Sequence, residues 1–363
     1  MKYLSLPLLL SLLISGLVAC NSTPKGADPR QPAGAVGAAS DADGDDTLDP
    51  QVAQGIGDLF QQILVQRHGQ TGPGVKRAVF LKLHGCAKGT FEVAADLPVE
   101  FKQGLFSVAG PHDAWLRLSS DTTPKTPDAE QSTIGFGLKV LTVPGRKILS
   151  GEEDAQTQDF LLQNHPVFFV DNAQEFLEFT EAALSDKFDA YSSQHPRTMA
   201  ILEAMKHDVQ NVRQTPFYSS TPYHFGDSGF AKYKVVPCAS IPMPDEAPST
   251  DPNFLQLRMQ RDFKKLGACF EFQVQRRLGD TMPVGQATVL WSEEVSKPVT
   301  VATLRLPPQD PAKNMTCENY SFNPFHALPA HRPAGSVNEA RGLIYKRLSE
   351  YRRTRDGLPL KEP

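Results

Sequence analysis

Four side chains near the end of the chain have the types and spacing to hold a metal-bearing ligand. In the stretch Ser336–Arg352, the residues Arg341, Tyr345, Leu348 and Arg352 stand at i, i+4, i+7 and i+11. On a helix of about 3.6 residues per turn they share one face. Ser336 and Glu339 have the S-x-x-E spacing of a capping box, which predicts that the helix starts at Ser336. An inward face with a phenol between two guanidiniums needs an anion for the arginines and a partner for the hydroxyl. An arginine beside the phenol favours the phenolate, lowering a reference pKa of about 10, and a phenolate is a metal ligand. The competing reading is an amphipathic surface helix whose arginines snorkel to solvent.

The elements that must position this stripe follow from the rest of the chain. Its 363 residues fit one large domain or two ordinary ones, and 40% hydrophobic against 21% charged residues leaves material for a sizeable core. A net charge of -4 gives no reason to expect a nucleic-acid partner. Thirty prolines and 26 glycines, with helical periodicity confined to a few segments, favour a β-rich α+β fold. Strand-like segments are Val79–His84, Gly89–Val93, Ala114–Ser119, Gly135–Thr142, Tyr223–Val236, Cys269–Gln275, Ala287–Trp291 and Val301–Leu306. About eight strands are enough for an antiparallel barrel. Helical spacing marks residues 51–66, Ala173–Leu184, Arg197–Val209 and Pro252–Lys265, and Pro98–Leu105 reads as a helical turn. No internal repeat or second core is evident.

The N-terminus reads as an export segment. Lys2 precedes an almost wholly apolar run over residues 4–18, the length of a signal h-region. The run ends Leu17-Val18-Ala19-Cys20, which resembles a bacterial lipobox, so residues 1–19 are expected to be a signal peptide and Cys20 the lipidated residue. This implies a lipid anchor in the membrane and a periplasm-facing place in the cell envelope. Residues 20–50, rich in Gly, Ala, Pro, Ser and Asp, read as a flexible tether, and residues 51–363 as the folded domain. Export makes disulfides plausible among Cys86, Cys238, Cys269 and Cys317, with three pairings open. No C-x-x-C spacing argues for zinc, and the scattered His165, His224, His326 and His331 read as structural.

Four separated segments then read together: Phe80–Val93, Trp115–Ser119, Asp159–Phe169 with its Asn-His-Pro-Val-Phe-Phe run, and the closing helix. In this order, from about Val75 to Arg353, they resemble the haem catalase family, specifically its small catalase-related members. The stretch Ser321–Gly335 also looks like the family. The resemblance implies an eight-stranded antiparallel barrel with surrounding helices and haem b as cofactor. It implies that Tyr345 ligates the iron, that Arg341 keeps this phenol ionised, that Arg352 and Arg117 pair with haem propionates, and that Asn164 is the distal asparagine orienting peroxide. The family's distal histidine aligns with Phe80, once Lys82 and Gly85 are matched. His84, four residues on, lies on the same side of an extended strand about 13 Å along, and a bulge is the device that would move it into the distal place. Both placements stay open at this point. The implied activity is on hydrogen peroxide or on organic or lipid hydroperoxides. The alternative is a haem-binding or haem-less lipoprotein without turnover, and a homo-oligomer is admitted by either.

Overall fold

The computed structural model describes residues 47–242 and 244–362. Cys20, the signal segment and nearly all of the tether lie outside the described residues. Among the described residues, no helix is long and apolar enough to cross a membrane.

Among the described residues, nine strands form one antiparallel sheet: β1 (Lys82–Val93), β2 (Gly110–Ser120), β3 (Ile134–Leu141), β4 (Thr157–Gln163), β5 (Phe217–Tyr218), β6 (Tyr223–Phe225), β7 (Gly229–Pro237), β8 (Ala268–Arg276) and β9 (Val299–Leu306). Their order is β5-β4-β3-β2-β1-β9-β8-β7-β6, and β5 also pairs with β7. That extra pairing closes eight strands into a barrel and leaves β6 as a short arm folded back on β7. Closure removes the exposed edges that an open sheet of this size would carry.

The barrel is filled, as alternation demands. On β2, Leu116 and Leu118 point inward; on β3, Phe136, Leu138 and Val140; on β4, Phe160 and Leu162. Phe91, Phe106, Phe160, Tyr233 and Phe272 meet stacked, tilted or edge-on in the centre, with ring centroids 4.6–6.5 Å apart. The interior is therefore a packed core with no room for a cofactor, and the outward residues of β2 to β4 are free to build a site.

Among the described residues, seven helices dress this surface: α1 (Pro50–His68), α2 (Ala173–Ala183), α3 (Phe188–Gln194), α4 (Pro196–Ala204), α5 (Phe254–Lys265), α6 (Thr316–Asn319) and α7 (Ser336–Asp356). Asp49 caps α1 by accepting from the Gln51 amide at 2.8 Å. The apolar stripe Val52, Ile56, Phe60, Ile63 and Leu64 packs on Ala340, Ile344 and Leu348 of α7. Ser336 starts α7 as expected, and its hydroxyl accepts from the Ala173 amide at 3.0 Å, tying α7 to the start of α2. The disulfides are Cys86–Cys317 and Cys238–Cys269. The expected strand Ala287–Trp291 is irregular backbone: Gln275 caps the Trp291 carbonyl and the Trp291 indole donates to the Pro283 carbonyl.

Candidate functional site

A cavity of about 1340 Å³ lies between the outer face of the barrel and the helical layer. It is larger than the roughly 300–1,000 Å³ usual for small-molecule pockets. Its barrel wall is set by strand register. Arg117 on β2 pairs with Gly137 on β3, which pairs with Leu161 on β4; one step along, Ser119, Gly135 and Gln163 form the next row. All six point outward into the cavity. The two glycines keep this wall recessed. A Cβ on Gly135 would stand 2.6 Å from the Phe80 ring, and one on Gly137 3.3 Å from the Phe322 ring.

α7 forms the facing wall with Arg341, Ile344, Tyr345, Leu348 and Arg352. The Arg341 guanidinium lies 5.6 Å from the centre of the Tyr345 ring and donates to Asn338 Oδ1 at 2.9 Å and Thr221 Oγ1 at 3.2 Å. Burial pulls the pKa of Arg341 down, but the Tyr345 and Tyr223 phenols facing it outweigh that and hold it above its ordinary value. A cation is thus fixed beside a cavity-facing phenol.

At one end the cavity meets a cluster of three guanidiniums. Arg117 donates from Nε to Glu318 Oε1 at 2.5 Å. Arg352 donates to the carbonyls of Glu318 and Tyr320 at 2.9 and 3.1 Å. Arg77 donates to the Cys317 and Tyr320 carbonyls at 3.2 and 2.8 Å. Its buried Nε makes no hydrogen bond, and Glu318 lies 3.6 Å from it. Burial, with help from Arg117, lowers Arg77 to about 9 despite Glu318, so it stays charged at neutral pH. Glu318 is pushed up by burial, yet Arg77 and Arg117 bring it down to about 2. Three cations face one carboxylate, an excess that suits a ligand with two acidic groups. α6, which carries Glu318, is tied to β1 by Cys86–Cys317. Arg77 was not singled out in the sequence; its place three residues before Phe80 is the one signal it offers.

The distal expectations come out differently. Phe80 lines the cavity and His84 does not. His84 is the extra residue of a β-bulge: Leu83 pairs with Ser119 and Gly85 with Leu118. It is fully buried, with Nε2 2.7 Å from Ser120 Oγ, on the side that follows Leu116 and Leu118 inward. Burial, with Lys82 and Arg117, lowers it to about 3, so it is neutral. The parity count from Phe80 fails for two reasons. Phe80 precedes β1 and has a left-handed φ of 52°, and the bulge then shifts the alternation. Asn164 also lies off the cavity. Its Oδ1 accepts from the Ile134 amide at 2.7 Å, pinning the end of β4 to β3, and its buried Nδ2 has no partner among the described residues. The structure therefore brings Tyr345, Arg341, Arg352 and Arg117 to one cavity, and leaves His84 and Asn164 outside it.

Comparison with solved structures places the architecture. A fungal catalase superposes with a TM-score of 0.62 at 16% identity, covering 82% of this chain and 63% of that one. Catalase A from Saccharomyces cerevisiae gives 0.62 at 18%, covering 80% and 63%. A bacterial catalase gives 0.60 at 15%, covering 94% and 68%. The fold is catalase-like. This chain spans less than two thirds of the length of the first two. No protein-family model and no curated protein matches the sequence.

Proposed function

We propose that the protein binds haem b in this cavity, with Tyr345 as the residue that would ligate the iron, and acts on hydrogen peroxide or on organic or lipid hydroperoxides. The observation that carries the reading is Tyr345 on the cavity wall with the Arg341 guanidinium 5.6 Å from its ring. The donor set suits the group. Tyr345 offers its phenol oxygen, and the Arg341 guanidinium beside the ring supplies a fixed positive charge. Arg77, Arg117 and Arg352 offer guanidiniums to two propionates, and the buried Nε of Arg77, paired with Glu318 only at 3.6 Å, has a hydrogen bond still to give. Phe60, Leu64, Phe168 and Leu348 supply apolar wall for a flat macrocycle. Haem bound there would supply the iron and ring electrons for breaking an O–O bond.

The chain's own work is to hold, orient and exclude. Phe80 sits against Gly135 in the barrel wall and presents an aromatic face where a proton acceptor is expected. No histidine lines the cavity among the described residues, which favours slow turnover of hydrogen peroxide itself and keeps the reading of a haem protein without turnover in play. A lipid on Cys20 would hold this cavity at the membrane face, a placement that a mass measurement of the mature protein decides. The central test is haem uptake by the folded chain, followed by absorption. Wild type should give a ferric tyrosinate-type Soret spectrum and Tyr345→Phe should lose it. Absence of haem uptake by wild type, or an identical spectrum in Tyr345→Phe, refutes the assignment.

A further inference from the structure

Four carboxylates line the cavity among the described residues: Asp121, Glu130, Asp189 and Glu203. The last three are solvent-exposed, and Asp121 alone is half-buried. It follows directly on β2, two residues past the cavity-facing Ser119. Its amide donates to the Thr133 carbonyl at 2.9 Å, which fixes the backbone. Its Oδ1 accepts from the Phe80 amide at 3.3 Å. Among the described residues, its second oxygen takes no hydrogen bond.

Phe80 is what makes this contact telling. A phenylalanine at φ 52° is strained and persists only where its neighbours fix it. Here Asp121 holds its N–H, Arg117 Nη2 donates to its carbonyl at 3.0 Å, and Gly135 leaves space for its ring. The strained residue aims its peptide at a carboxylate and its ring at the barrel wall, so the carboxylate becomes the polar group next to the aromatic one.

We propose that Asp121 is the proton-transferring group of the cavity, taking the proton of a bound hydroperoxide on its free oxygen. One O–H bond breaks and one forms, and no electron changes hands in that step. The protonated carboxyl then gives the proton back to the departing oxygen. This inference rests on the haem reading above. Burial raises the pKa of Asp121, against the Phe80 N–H and Arg67, which lower it. A raised carboxyl is better matched to giving a proton back than an ordinary one. Arg67 on α1 is the charged group acting on it directly, and Arg117 meets it only through the Phe80 peptide.

Cyanide is a suitable probe, because hydrogen cyanide must lose its proton on binding ferric haem and no turnover is involved. Association is followed optically in haem-loaded wild type, Asp121→Asn and Asp121→Glu. Asn keeps an acceptor for the Phe80 amide and should slow association about 100-fold at neutral pH, the scale of one positioned base. Glu should recover most of the loss. Infrared titration of the haem-free protein gives a second reading: a protonated-carboxyl band present in wild type and absent in Asp121→Asn, with a midpoint above that of an ordinary aspartate. Equal cyanide rates in wild type and Asp121→Asn, or a missing carboxyl band, overturn this inference alone. Failure of wild type to take up haem overturns it together with the reading it rests on.

Discussion

Removing the Cys86–Cys317 disulfide should cost more stability than removing Cys238–Cys269, and the margin can be worked out. With n set to the separation of 231 residues, the chain-entropy relation ΔS ≈ −2.1 − 1.5R ln n gives about 5.5 kcal/mol at 25 °C. The separation of 31 residues for Cys238–Cys269 gives about 3.7 kcal/mol. The short loop lies inside the long one, which trims the larger figure by only ~0.1 kcal/mol because the dependence is logarithmic. At roughly 2 °C per kcal/mol for a chain of this length, the double variant Cys86→Ala/Cys317→Ala should melt about 11 °C below wild type, and Cys238→Ala/Cys269→Ala about 7 °C below. Loss of packing acts in the same direction, since Cys86 and Cys317 are fully buried while Cys238 and Cys269 are 6% and 5% exposed. The assay is thermal unfolding by circular dichroism, without reductant and at fixed ligand concentration. Equal losses in the two variants, or a larger one for Cys238→Ala/Cys269→Ala, would refute the loop argument.

Two further expectations concern the cavity. Glu318 has a folded pKa of about 2, below the unfolded value near 4.5, so its stabilisation is present above about pH 4.5 and is lost as pH falls toward 2. Glu318→Gln should flatten the acid-side slope of Tm against pH in that window, and an unchanged slope counts against the ion cluster. Phe80→His places an imidazole where the ring now packs on Gly135, and histidine tolerates a left-handed φ better than phenylalanine. In haem-loaded protein it should raise oxygen release from hydrogen peroxide by about 100-fold. No rise with an intact haem spectrum would show that the missing base at Phe80 is not what limits turnover.

Much of the fold was legible because alternation and helical spacing are local. The stripes of α1 and α2 came out within a residue or two, α7 starts at Ser336 as expected and runs four residues past Arg352, and β2, β3, β8 and β9 came out within about four. The two expected segments Val79–His84 and Gly89–Val93 are one strand, β1, that starts later and bends at the His84 bulge. β4 was read as a motif rather than a strand, since Asp159 and Gln163 break its apolar run; Asp159 is buried on the barrel's outer face because Lys139 pairs with it at 2.7 Å, a contact between strands that local spacing does not reveal. β5 has two residues and carries the barrel's closure, which no periodicity could announce. On the site, the Arg341–Tyr345–Arg352 stripe was legible since one helix holds it. Arg117 needed only strand parity. The choice between Phe80 and His84 stayed open because a single left-handed residue and a single inserted one reset that parity. Arg77 and Asp121 escaped notice, as both lie on irregular backbone where spacing carries no information.

The position of the cavity has a thermodynamic consequence. It separates two apolar assemblies: the aromatic interior of the barrel, and the layer where α1 packs on α7. A ligand lodged there touches the outer wall of the barrel on one side and the helical layer on the other, so its binding energy adds to the cohesion between them. At a free ligand concentration one hundred times Kd, that linkage is worth about 2.7 kcal/mol. The closed barrel keeps its own hydrogen-bond ladder and its own interior whether or not the seam is filled. The helical layer depends more on the seam, since Tyr345, Leu348 and Phe60 all give one side to it. The occupant of the cavity therefore acts as mortar for the outer layer, and the barrel as the wall on which that layer can be built or loosened.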